Sequence, residues 1–498
     1  MKNNLFDNLI IFEMANNHQG DLKLGKELIE TYAGLAQKYG LHAAVKTQYR
    51  DLPNFIRPDC RGSGHRQAER FLSTRLSARD FREMVEQIKA RGLTAMCTPF
   101  DEASVDLACE HQMDILKVAS CSALDWPLNE KIAQTGKPVI ISTAGLSIAD
   151  IDKIYNFFTH RQTDFALMHC CALYPSPGPA LQMNFLDRLK RRYTQIPIGY
   201  SGHESPGNLD VVKVAVAKGA VILERHVGLP SESVKLNAYS MNPAETEDWL
   251  RAIVSTKELC GGETAYEVKR VSSEERESLR ALTRGVCASR PISRGELITQ
   301  EAIYLAMPCE PGQLSSGELR AKLIATRDYA THDSVTEAPP RSEELILRDI
   351  IHEAKGLLME HQVTVGDDVE FELSHHYGRA AFRQWGAILI NIVNREYCKK
   401  LIVVLPGQRH PAHHHKSKEE SFQVLAGKLT LVLNGQEMVM SPGEIVTVYR
   451  GVSHSFTSVD GAIFEEISTS HIKNDSYYED CAINSSDIIS RKTVLKAW

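Results

Sequence analysis

The chain has 498 residues, of which 43% are hydrophobic and 24% charged, and its net charge is −6 at pH 7. This length is too great for one hydrophobic core and predicts about three domains. The slightly acidic balance, with no basic run longer than Lys190–Arg192, argues against a nucleic-acid-binding protein.

The N-terminal residues and the cysteines predict a cytoplasmic protein. Met1–Leu5 lacks the basic, apolar and small-residue order of a signal peptide, and no apolar run reaches the ~18 residues that a membrane span needs. The 11 cysteines have no metal-ligand spacing and are typical of reduced thiols. We interpret the adjacent Cys170 and Cys171 as buried packing at a strand end, and we expect neither a membrane nor a nucleic-acid partner.

Apolar strand-like runs alternate with amphipathic helical patterns over residues 1–265. The runs are Leu9–Met14, Ala43–Gln48, Leu93–Thr98, Ile115–Ala119, Val139–Ser142, Phe165–His169, Ile196–Ser201 and Val221–His226. Eight strands with crossover helices, buried on both faces, predict a (β/α)₈ TIM barrel in the α/β class. A doubly wound open sheet is the alternative, but it does not account for eight repeats.

Polar side chains follow the predicted strands where each one ends, and active sites of such barrels lie at these C-terminal ends. The positions are Glu13, Lys46, Gln48, Thr98, Lys117, Ser120, Ser142, His169, Ser201, His203, Glu224 and His226. Lys46 and Lys117 among hydroxyl groups predict a pocket for a small, multiply charged anion. A lysine within a strand usually protects a sheet edge, but a closed barrel has no edge.

Two histidines end successive predicted strands. Ser201-Gly-His203 closes one strand, the predicted helix Asn208–Lys218 follows, and Glu224-Arg-His226 closes the next. A parallel crossover brings both ends to one face, so the two imidazoles predict a divalent-metal site. The alternative is that either histidine caps its strand by hydrogen bonding to the backbone.

Seven short motifs occur in register over about the first 330 residues. They are Phe12-Glu13-Met-Ala-Asn-Asn17-His18-Gln-Gly20, Val45-Lys46-Thr-Gln48, Thr98-Pro-Phe100, Leu116-Lys117-Val-Ala-Ser120, His169-Cys-Cys-Ala-Leu-Tyr174-Pro175, Tyr200-Ser201-Gly-His203 and Glu224-Arg-His226. Together they resemble the sialic acid synthase family. Members of that family condense phosphoenolpyruvate with an aldose to give a 3-deoxy-2-ulosonic acid and phosphate.

The resemblance implies a role for each matching residue. His203 and His226 hold a divalent metal, Mn²⁺ or Mg²⁺, which polarises the aldehyde of the open-chain sugar. Glu13 lies beside the metal and the aldehyde as a base or charge stabiliser, and Tyr174 lies beside the acceptor. The carboxylate and phosphate of phosphoenolpyruvate, and the adjoining substrate groups, are held by Lys46, Gln48, Thr98, Lys117, Ser120, Ser142 and Ser201.

Three positions depart from the family pattern where the acceptor is expected. The family usually has Gly-Glu where this chain has Cys121-Ser122, and Asn where it has Ala172. The third position, Met307, stands where the family has an arginine just before a proline. Since these are acceptor-side polar contacts, the departures predict the same reaction on an aldose other than N-acetylmannosamine.

A change of composition after Tyr266 indicates a second domain, placed at residues 278–335, after a charged linker at Val271–Arg276. Its strand-like runs Leu282–Ser289, Ile292–Thr299 and Ala302–Met307 resemble the small antifreeze-like (SAF) domain that follows the barrel in the family. That domain covers the barrel mouth of the partner subunit, which implies a homodimer. The alternative is a dimerisation cap without a substrate contact.

A β-rich third domain is predicted at residues 342–498, after a polar linker at Thr331–Arg341. Short strands with Gly, Pro and Asn turns indicate a sandwich or jelly roll. The passage Gly407-Gln-Arg-His-Pro-Ala-His413-His-His415-Lys-Ser-Lys-Glu-Glu420, with Gly427, Gly443 and Gly451-Val-Ser-His454, resembles the two cupin motifs. By that resemblance the ligands of a second divalent metal (Zn²⁺, Mn²⁺, Fe²⁺ or Ni²⁺) are His413, His415, Glu420 and His454.

The role of the cupin stays open, because cupin folds host isomerases, epimerases, oxygenases and binding modules. One hypothesis is a sugar isomerase or epimerase that supplies the aldose, with Lys418 or Glu419 as proton shuttle. The run Glu396–Lys400 is similar to that of some cupin sugar isomerases. The other hypothesis is a non-catalytic sugar sensor or oligomerisation module.

Overall fold

Two units divide the chain, Met1–Arg270 and Val271–Trp498. The computed structural model describes residues 5–230, 235–261, 271–319, 322–337, 343–366, 369–472, 474–487 and 489–496. Within these ranges, none of the helices combines the length and the hydropathy that crossing a bilayer requires.

Eight parallel strands close the predicted barrel in the first unit. They are β1 (Leu9–Glu13), β2 (Ala43–Tyr49), β3 (Thr94–Pro99), β4 (Ile115–Val118), β5 (Val139–Ser142), β6 (Phe165–Cys170), β7 (Ile198–Gly202) and β8 (Ile222–His226). Closure comes from β1, where Glu13 is in register with Lys46 of β2 on one side and His226 of β8 on the other. The TIM-barrel prediction is confirmed.

Helices cover the outside of the barrel, as the βα repeat requires. They are α1 (Leu22–Lys38), α4 (Ala78–Ala90), α5 (Glu102–Glu110), α6 (Trp126–Ala133), α7 (Ile148–His160), α8 (Phe185–Arg192), α9 (Asp210–Ala217) and α10 (Pro243–Leu259), while α2 (Leu52–Phe55) and α3 (Arg66–Ser73) lie in the connection between β2 and α4. Local signals set their starts: Ser77 and Asp80 form a reciprocal capping box at α4, and Asn242 with Glu245 forms another at α10.

The alternation of side chains along each strand builds the barrel in two layers. Residues that point outward pack with the helices, as Ile10, Phe12 and Val45 do. Residues that point inward form a separate central cluster: Phe6, Leu9, Ile11, Ala44, Met96, Ile115, Ile140, Ala166, Met168 and Ile222. The inward position next toward the C-terminal end is then polar on strand after strand, which places the polar groups on top of a closed apolar floor.

A buried ion pair lies beside this core on the outward side of β8. Arg225 Nη1 is 2.5 Å from Glu204 Oε1, and Arg225 Nη2 donates to the backbone oxygen of Glu204 at 2.8 Å. Tyr200 donates its hydroxyl to Glu204 Oε2 at 2.9 Å. Both charged side chains are 1% exposed, so Arg225 is a structural residue between the strand ends that carry His203 and His226.

The second unit begins with α11 (Ser273–Arg280), so the prediction of a plain linker at Val271–Arg276 is wrong over most of its length. Ser272 accepts from the backbone of Glu275 and caps this helix. Four short strands follow: β9 (Gly285–Ala288), β10 (Leu297–Ile298), β11 (Ile303–Ala306) and β12 (Leu323–Ile324). Their core includes Tyr329 and Val335, so part of the expected linker at Thr331–Arg341 belongs to this small fold.

The rest of the second unit is a helix followed by two packed sheets, and the jelly-roll prediction is confirmed. The helix is α12 (Glu343–Glu360), which the sequence patterns did not predict. The strands are β13 (Glu370–Ser374), β14 (Ala387–Asn394), β15 (Tyr397–Val404), β16 (Arg409–His415), β17 (Glu420–Gly427), β18 (Leu429–Leu433), β19 (Gln436–Met440), β20 (Ile445–Val448), β21 (His454–Thr457), β22 (Ala462–Thr469), β23 (Ser476–Tyr478) and, after α13 (Cys481–Ser485), β24 (Lys492–Leu495).

The two jelly-roll sheets are antiparallel. Seven strands pair in the order β20-β17-β22-β15-β14-β13-β24, and five in the order β19-β18-β21-β16-β23. Apolar runs of the sequence at residues 369–373, 387–393, 400–404 and 429–433 predict β13, β14, β15 and β18. The ends of the first three differ from the observed strands by up to three residues, and β18 has the predicted bounds. All 11 cysteines are free, which agrees with the expectation of reduced thiols.

Candidate active site and second metal centre

Thirteen of the predicted barrel residues line one pocket at the C-terminal ends of the strands, called here the mouth pocket. They are Glu13, Lys46, Gln48, Thr98, Lys117, Ser120, Ser142, Ala172, Tyr174, Ser201, His203, Glu224 and His226. Several of them stand two residues after an inward-pointing core residue on the same strand, as Lys46 does after Ala44 and Lys117 after Ile115. The strand periodicity therefore brings residues distant in sequence into one polar site.

Four buried charges form a connected network on the floor of the mouth pocket. Lys46 Nζ lies 2.6 Å from Glu13 Oε2 and 2.8 Å from Glu224 Oε2. Lys117 Nζ contacts both oxygens of Glu224, at 3.1 and 3.2 Å. Ser201 donates its hydroxyl to Glu224 Oε1 at 2.8 Å. All four charged side chains are 5% exposed or less, so water screens these interactions little.

Burial and neighbouring charges shift the pKa values within this network in different directions. Desolvation raises the pKa of Glu13, which has Lys46 as its cationic contact. Desolvation also lowers the pKa of Lys117. Burial alone would raise the pKa of Glu224, but Lys117 and Lys46 together hold it well below its usual value. Glu224 is thus the fixed anion of the network, and Glu13, whose pKa burial raises, is the carboxyl of the network that holds a proton more readily.

Glu224 had been noted only as a polar strand end, without a role. Its position two residues before His226 was the available signal, because alternation sends both side chains inward and Arg225 outward. What the pattern does not contain is that one carboxylate joins both lysines.

His203 and His226 lie together at the edge of the network, with ring centroids 5.2 Å apart. Burial lowers the pKa of His203 to about 4 and that of His226 well below its usual value, so both rings are neutral at pH 7. His203 Nδ1 bonds the backbone oxygen of Cys171 at 3.0 Å, which leaves Nε2 free. His226 Nδ1 is buried without a hydrogen-bond partner among the described residues. Free nitrogens on two neutral imidazoles, close to Glu13, fit a divalent metal.

Aromatic rings pack around the two histidines at the rim of the mouth pocket. Tyr174 packs against His203 with centroids 4.5 Å apart, and Tyr239 contacts Tyr174, His203 and His226. Tyr174 remains 57% exposed, so its face is open to a substrate. Tyr239, together with Asn237, is a lining residue that the motifs did not point to.

Two expected positions are arranged differently. Ser122 is buried in a short 3₁₀ turn and does not line the mouth pocket, whereas Cys121 does. His169 points outward and bonds the backbone oxygen of Leu181 at 2.6 Å, so the inward position at the end of β6 is Cys170. Met307 is 62% exposed in the second unit, and its contact with an acceptor stays a prediction. Ser122 turns away because adjacent residues of the 3₁₀ turn face different sides. At β6 the predicted alternation of inward and outward side chains was shifted by one residue, so His169 faces outward.

Cys170 is therefore more than strand-end packing. Its thiol lies 3.7 Å from His203 Nδ1 and lines the mouth pocket. Burial raises its pKa to about 11, so it faces the site as a neutral thiol.

The cupin residues also come together as predicted. His413 and His415 point to the same side of β16, and His413 is in register with His454 of β21. The ligand atoms of these three histidines lie within 4.8 Å of one another. Glu420, from the opposite sheet, places Oε1 at 3.4 Å from His415 Nε2 and Oε2 at 3.1 Å from His454 Nε2.

The hydrogen bonds behind these histidines fit a metal. Each Nδ1 contacts a backbone oxygen: Pro411 for His413, Asp475 for His415 and Val452 for His454. Donation from Nδ1–H leaves Nε2 as an acceptor, and Glu420 Oε2 is a buried acceptor without a hydrogen-bond partner in the described part of the chain. Four acceptors that converge in a buried site are best satisfied by a cation.

The two suggested proton shuttles are not equivalent. Lys418 is 3% exposed, lies 2.6 Å from Glu420 Oε1 and also contacts Glu466. Burial opposes its charge, but the two carboxylates raise its pKa, so Lys418 is a fixed cation and a poor base. Glu419 does not line the cupin pocket, so neither residue fits the shuttle that the sequence suggested. The pocket includes instead Lys400, Glu466, His471 and Tyr478.

Comparisons with known proteins agree with this geometry. The NeuB family model matches residues 35–265. An uncharacterized protein of Methanocaldococcus jannaschii is 32% identical over 301 residues, which are 60% of this chain and 84% of that protein. The crystal structure of a spore coat polysaccharide biosynthesis protein E from Chromobacterium violaceum is 41% identical with a TM-score of 0.63, over 66% of this chain and 97% of that one. The chain belongs to the NeuB family.

The relatives of this NeuB-family chain include named synthases. The N,N'-diacetyllegionaminic acid synthase of Campylobacter jejuni is 25% identical over 339 residues, covering 66% of this chain and 99% of that enzyme. The N-acetylneuraminate-9-phosphate synthase of Homo sapiens is 26% identical over 301 residues, covering 59% of this chain and 81% of that enzyme. A cupin domain model matches residues 400–465. The sequence-based assignment to the sialic acid synthase family with an added cupin is confirmed.

We predict that His413→Ala or His454→Ala removes one bound metal equivalent from the full-length protein. His414→Ala is the matched control, because His414 stacks on Tyr477 instead of joining the three-histidine cluster. Mass spectrometric metal content after loading with Zn²⁺ or Mn²⁺ and dialysis measures the difference. Equal metal content in His413→Ala and His414→Ala would contradict the assignment.

Proposed function

We propose that the barrel condenses phosphoenolpyruvate with an open-chain aldose, giving a 3-deoxy-2-ulosonic acid and phosphate by C–O cleavage. The observation that carries the proposal is the charge network of Glu13, Lys46, Lys117 and Glu224 beside His203 and His226 in one pocket. Membership of the NeuB family supports the same reaction class.

Phosphoenolpyruvate is assigned to the lysine side of the mouth pocket. Lys46 and Lys117 keep N–H donors beyond those used by the two glutamates, since an ammonium group has three. Thr98 Oγ1 is buried without a hydrogen-bond partner among the described residues, and Ser120, Ser142 and Ser201 line the same wall. Hydroxyls and ammonium groups together suit a carboxylate and a phosphate. Gln48 donates to Glu13 Oε1 at 3.0 Å and fixes that carboxyl toward the acceptor.

His203 and His226 are assigned to a divalent metal, Mn²⁺ or Mg²⁺. Such an ion supplies Lewis-acid polarisation of a carbonyl oxygen. The side chains orient the partners: Tyr174 stacks beside the aldose, and the lysine side fixes the enol phosphate so that C3 faces the aldehyde carbon. Formation of the C–C bond leaves positive charge at C2, where a water adds.

Glu13 is assigned the proton transfer. Its raised pKa and its position between Lys46 and Gln48 suit a group that takes a proton from the water or gives one to the aldehyde oxygen. The hydroxyl added at C2 then collapses to the ketone, the C2–O bond to phosphate breaks, and phosphate leaves with the bridging oxygen.

The acceptor is assigned as an aldose without an N-acyl group. Ala172 lines the mouth pocket with a methyl group, and Cys121 offers only a thiol where a carboxylate or amide would bond an acyl-amino substituent. The second candidate keeps an N-acylated acceptor and a sialic- or legionaminic-type product, as the names of the relatives favour. In that case Asn237 and Tyr239 take over the missing contacts.

The small fold at residues 278–335 is assigned as an SAF-type cap on the barrel of a partner subunit in a homodimer. With Met307 at the position of the family's arginine, this cap brings an apolar side chain. The assembly is assigned to the cytoplasm.

The cupin is proposed as a second metal-dependent enzyme, a sugar isomerase or epimerase that supplies the aldose. The three-histidine cluster beside Glu420 and the buried pair of Lys418 with Glu466 favour a reactive pocket over a plain scaffold. The alternative is sugar binding without turnover. Interconversion of a ketose and an aldose without phosphoenolpyruvate, lost in His413→Ala, distinguishes the two.

We predict that Lys117→Met lowers the affinity for phosphoenolpyruvate by ~2–4 kcal/mol, because one partner of a desolvated charge contact is removed while the stem length is kept. Lys131→Met is the control, since Lys131 pairs with the exposed Asp106 outside the mouth pocket. Titration calorimetry measures both. An affinity that Lys117→Met leaves unchanged would place Lys117 outside the binding site.

We predict that N-acetylmannosamine is a poor acceptor compared with an aldose that has no acyl group. A site that hydrogen-bonds a polar substituent rejects analogues lacking it, and a site without such groups gains nothing from the substituent. The measurement is kcat/KM from phosphate release, for N-acetylmannosamine against mannose and mannosamine. A value tenfold or more in favour of N-acetylmannosamine would overturn the assignment of the acceptor.

A further inference from the structure

Three arginines line the mouth pocket on the side away from the lysine floor. Arg50 directly follows β2, and Arg66 and Arg70 lie one turn apart on α3. Because residues four apart share one face of a helix, both α3 side chains reach the pocket from the same wall.

These arginines have no ion pair with any described residue, whereas two arginines close to them in sequence do. Arg57 pairs with Asp59, and Arg79 pairs with Glu83. Among the described residues that line the mouth pocket, five side chains are cationic and two are carboxylates, Glu13 and Glu224. Both carboxylates already contact lysines, so within the described part of the chain Arg50, Arg66 and Arg70, called here the arginine wall, have no carboxylate partner.

Arg50 keeps its charged side chain in a largely buried position, which costs desolvation free energy. Its guanidinium carbon lies 3.7 Å from the ring centre of Phe100 and 4.0 Å from that of Phe71. One nitrogen donates to Gln48 Oε1 at 2.8 Å, while Arg50 Nε is buried with no partner in the described ranges. Burial lowers the pKa of Arg50 to about 10, which still leaves it charged at pH 7. A charged group kept between two rings, with a donor unused, is typical of a site that awaits an anion.

The lysines and the arginines of the mouth pocket come from different structural elements. Lys46 and Lys117 rise from the strand ends within the charge network, and Arg66 and Arg70 come from a helix in the β2–α4 connection. Gln48 links the two, because it accepts from Arg50 and donates to Glu13. If phosphoenolpyruvate occupies the lysine side, the arginine wall faces the second substrate.

We propose that Arg50, Arg66 and Arg70 form a subsite for an anionic group, a phosphate or a carboxylate, carried by the acceptor aldose. This inference rests on the proposed condensation and adds the charge of its second substrate. Guanidinium groups bind both kinds of oxyanion through paired N–H donors, and an anion here would join the Arg50–Gln48–Glu13 chain of hydrogen bonds to the reacting end of the sugar.

The test compares neutral and anionic acceptors in the full-length protein. The acceptors are mannose, mannose 6-phosphate and mannuronate, and the variants are Arg66→Ala/Arg70→Ala and the control Arg79→Ala, whose side chain is 86% exposed. We expect an anionic acceptor to exceed mannose at least tenfold in kcat/KM. The double variant lowers this value roughly tenfold to a hundredfold, the range for lost hydrogen bonds to a charged group. Mannose kcat/KM and the KM for phosphoenolpyruvate stay within twofold, and Arg79→Ala matches the wild type.

The outcomes separate the sources of the anion. Preference for mannose 6-phosphate identifies a phosphate subsite, and preference for mannuronate a carboxylate subsite. Mannose as the equal or better acceptor overturns the proposal. So does a double variant that raises the KM for phosphoenolpyruvate, because the arginines would then hold the first substrate.

Binding keeps the inference testable if the condensation itself fails. When none of the three sugars releases phosphate from phosphoenolpyruvate, the proposed function is contradicted, and titration calorimetry of mannose 6-phosphate against mannose tests the subsite alone. Tighter binding of the phosphate, weakened tenfold or more in the double variant, supports the subsite. Equal binding of the two sugars, or no effect of the double variant, overturns it.

Discussion

The barrel's site depends on one desolvated contact, the carboxylate of Glu224 shared between Lys46 and Lys117. Burying four charges is costly, and removing one partner leaves the others uncompensated, so such a network is a weak source of stability. The network instead holds two ammonium groups in fixed positions above the apolar floor, and it leaves Glu13 as the carboxyl with a raised pKa. Everything proposed for the mouth pocket uses these fixed charges, from the anion on the lysine side to the proton transfer by Glu13.

The cupin pocket also holds buried ionisable side chains in fixed positions, but with a different arrangement of strands. Antiparallel strands of two sheets bring His413, His415 and His454 to face Glu420, and backbone oxygens fix the tautomers. Lys418 then pairs with Glu420, much as Lys46 pairs with Glu13. One chain thus carries a NeuB-family barrel and a cupin pocket, each with a buried lysine–glutamate contact.

The sequence predicted those features that follow from strand period and motif spacing. Apolar alternation predicted the barrel and the side to which Lys46, Lys117 and His226 point, and the spacing of His413, His415 and His454 predicted the cupin cluster. Sequence patterns failed where the phase of a strand or a tertiary contact determines the direction or the charge of a side chain. Cys170 points into the mouth pocket in place of His169, because a shift of one residue along a strand reverses the face of each side chain. Ser122 turns away from the pocket within a 3₁₀ turn. The position of Arg66 and Arg70 at the mouth pocket depends on how α3 packs, and the fixed charge of Lys418 depends partly on Glu466, 48 residues away; no local pattern contains either.

The reaction proposed for the barrel breaks the C–O bond of phosphoenolpyruvate while joining it to an aldose. Phosphoenolpyruvate labelled with ¹⁸O at the bridging oxygen tests this most directly, by mass spectrometry of the phosphate released in the presence of an aldose. The account predicts that the label leaves with the phosphate, one labelled phosphate for each 3-deoxy-2-ulosonic acid formed, and that phosphate release needs the aldose. Unlabelled phosphate, with the label retained in pyruvate, would show P–O cleavage by a phosphatase and contradict the account.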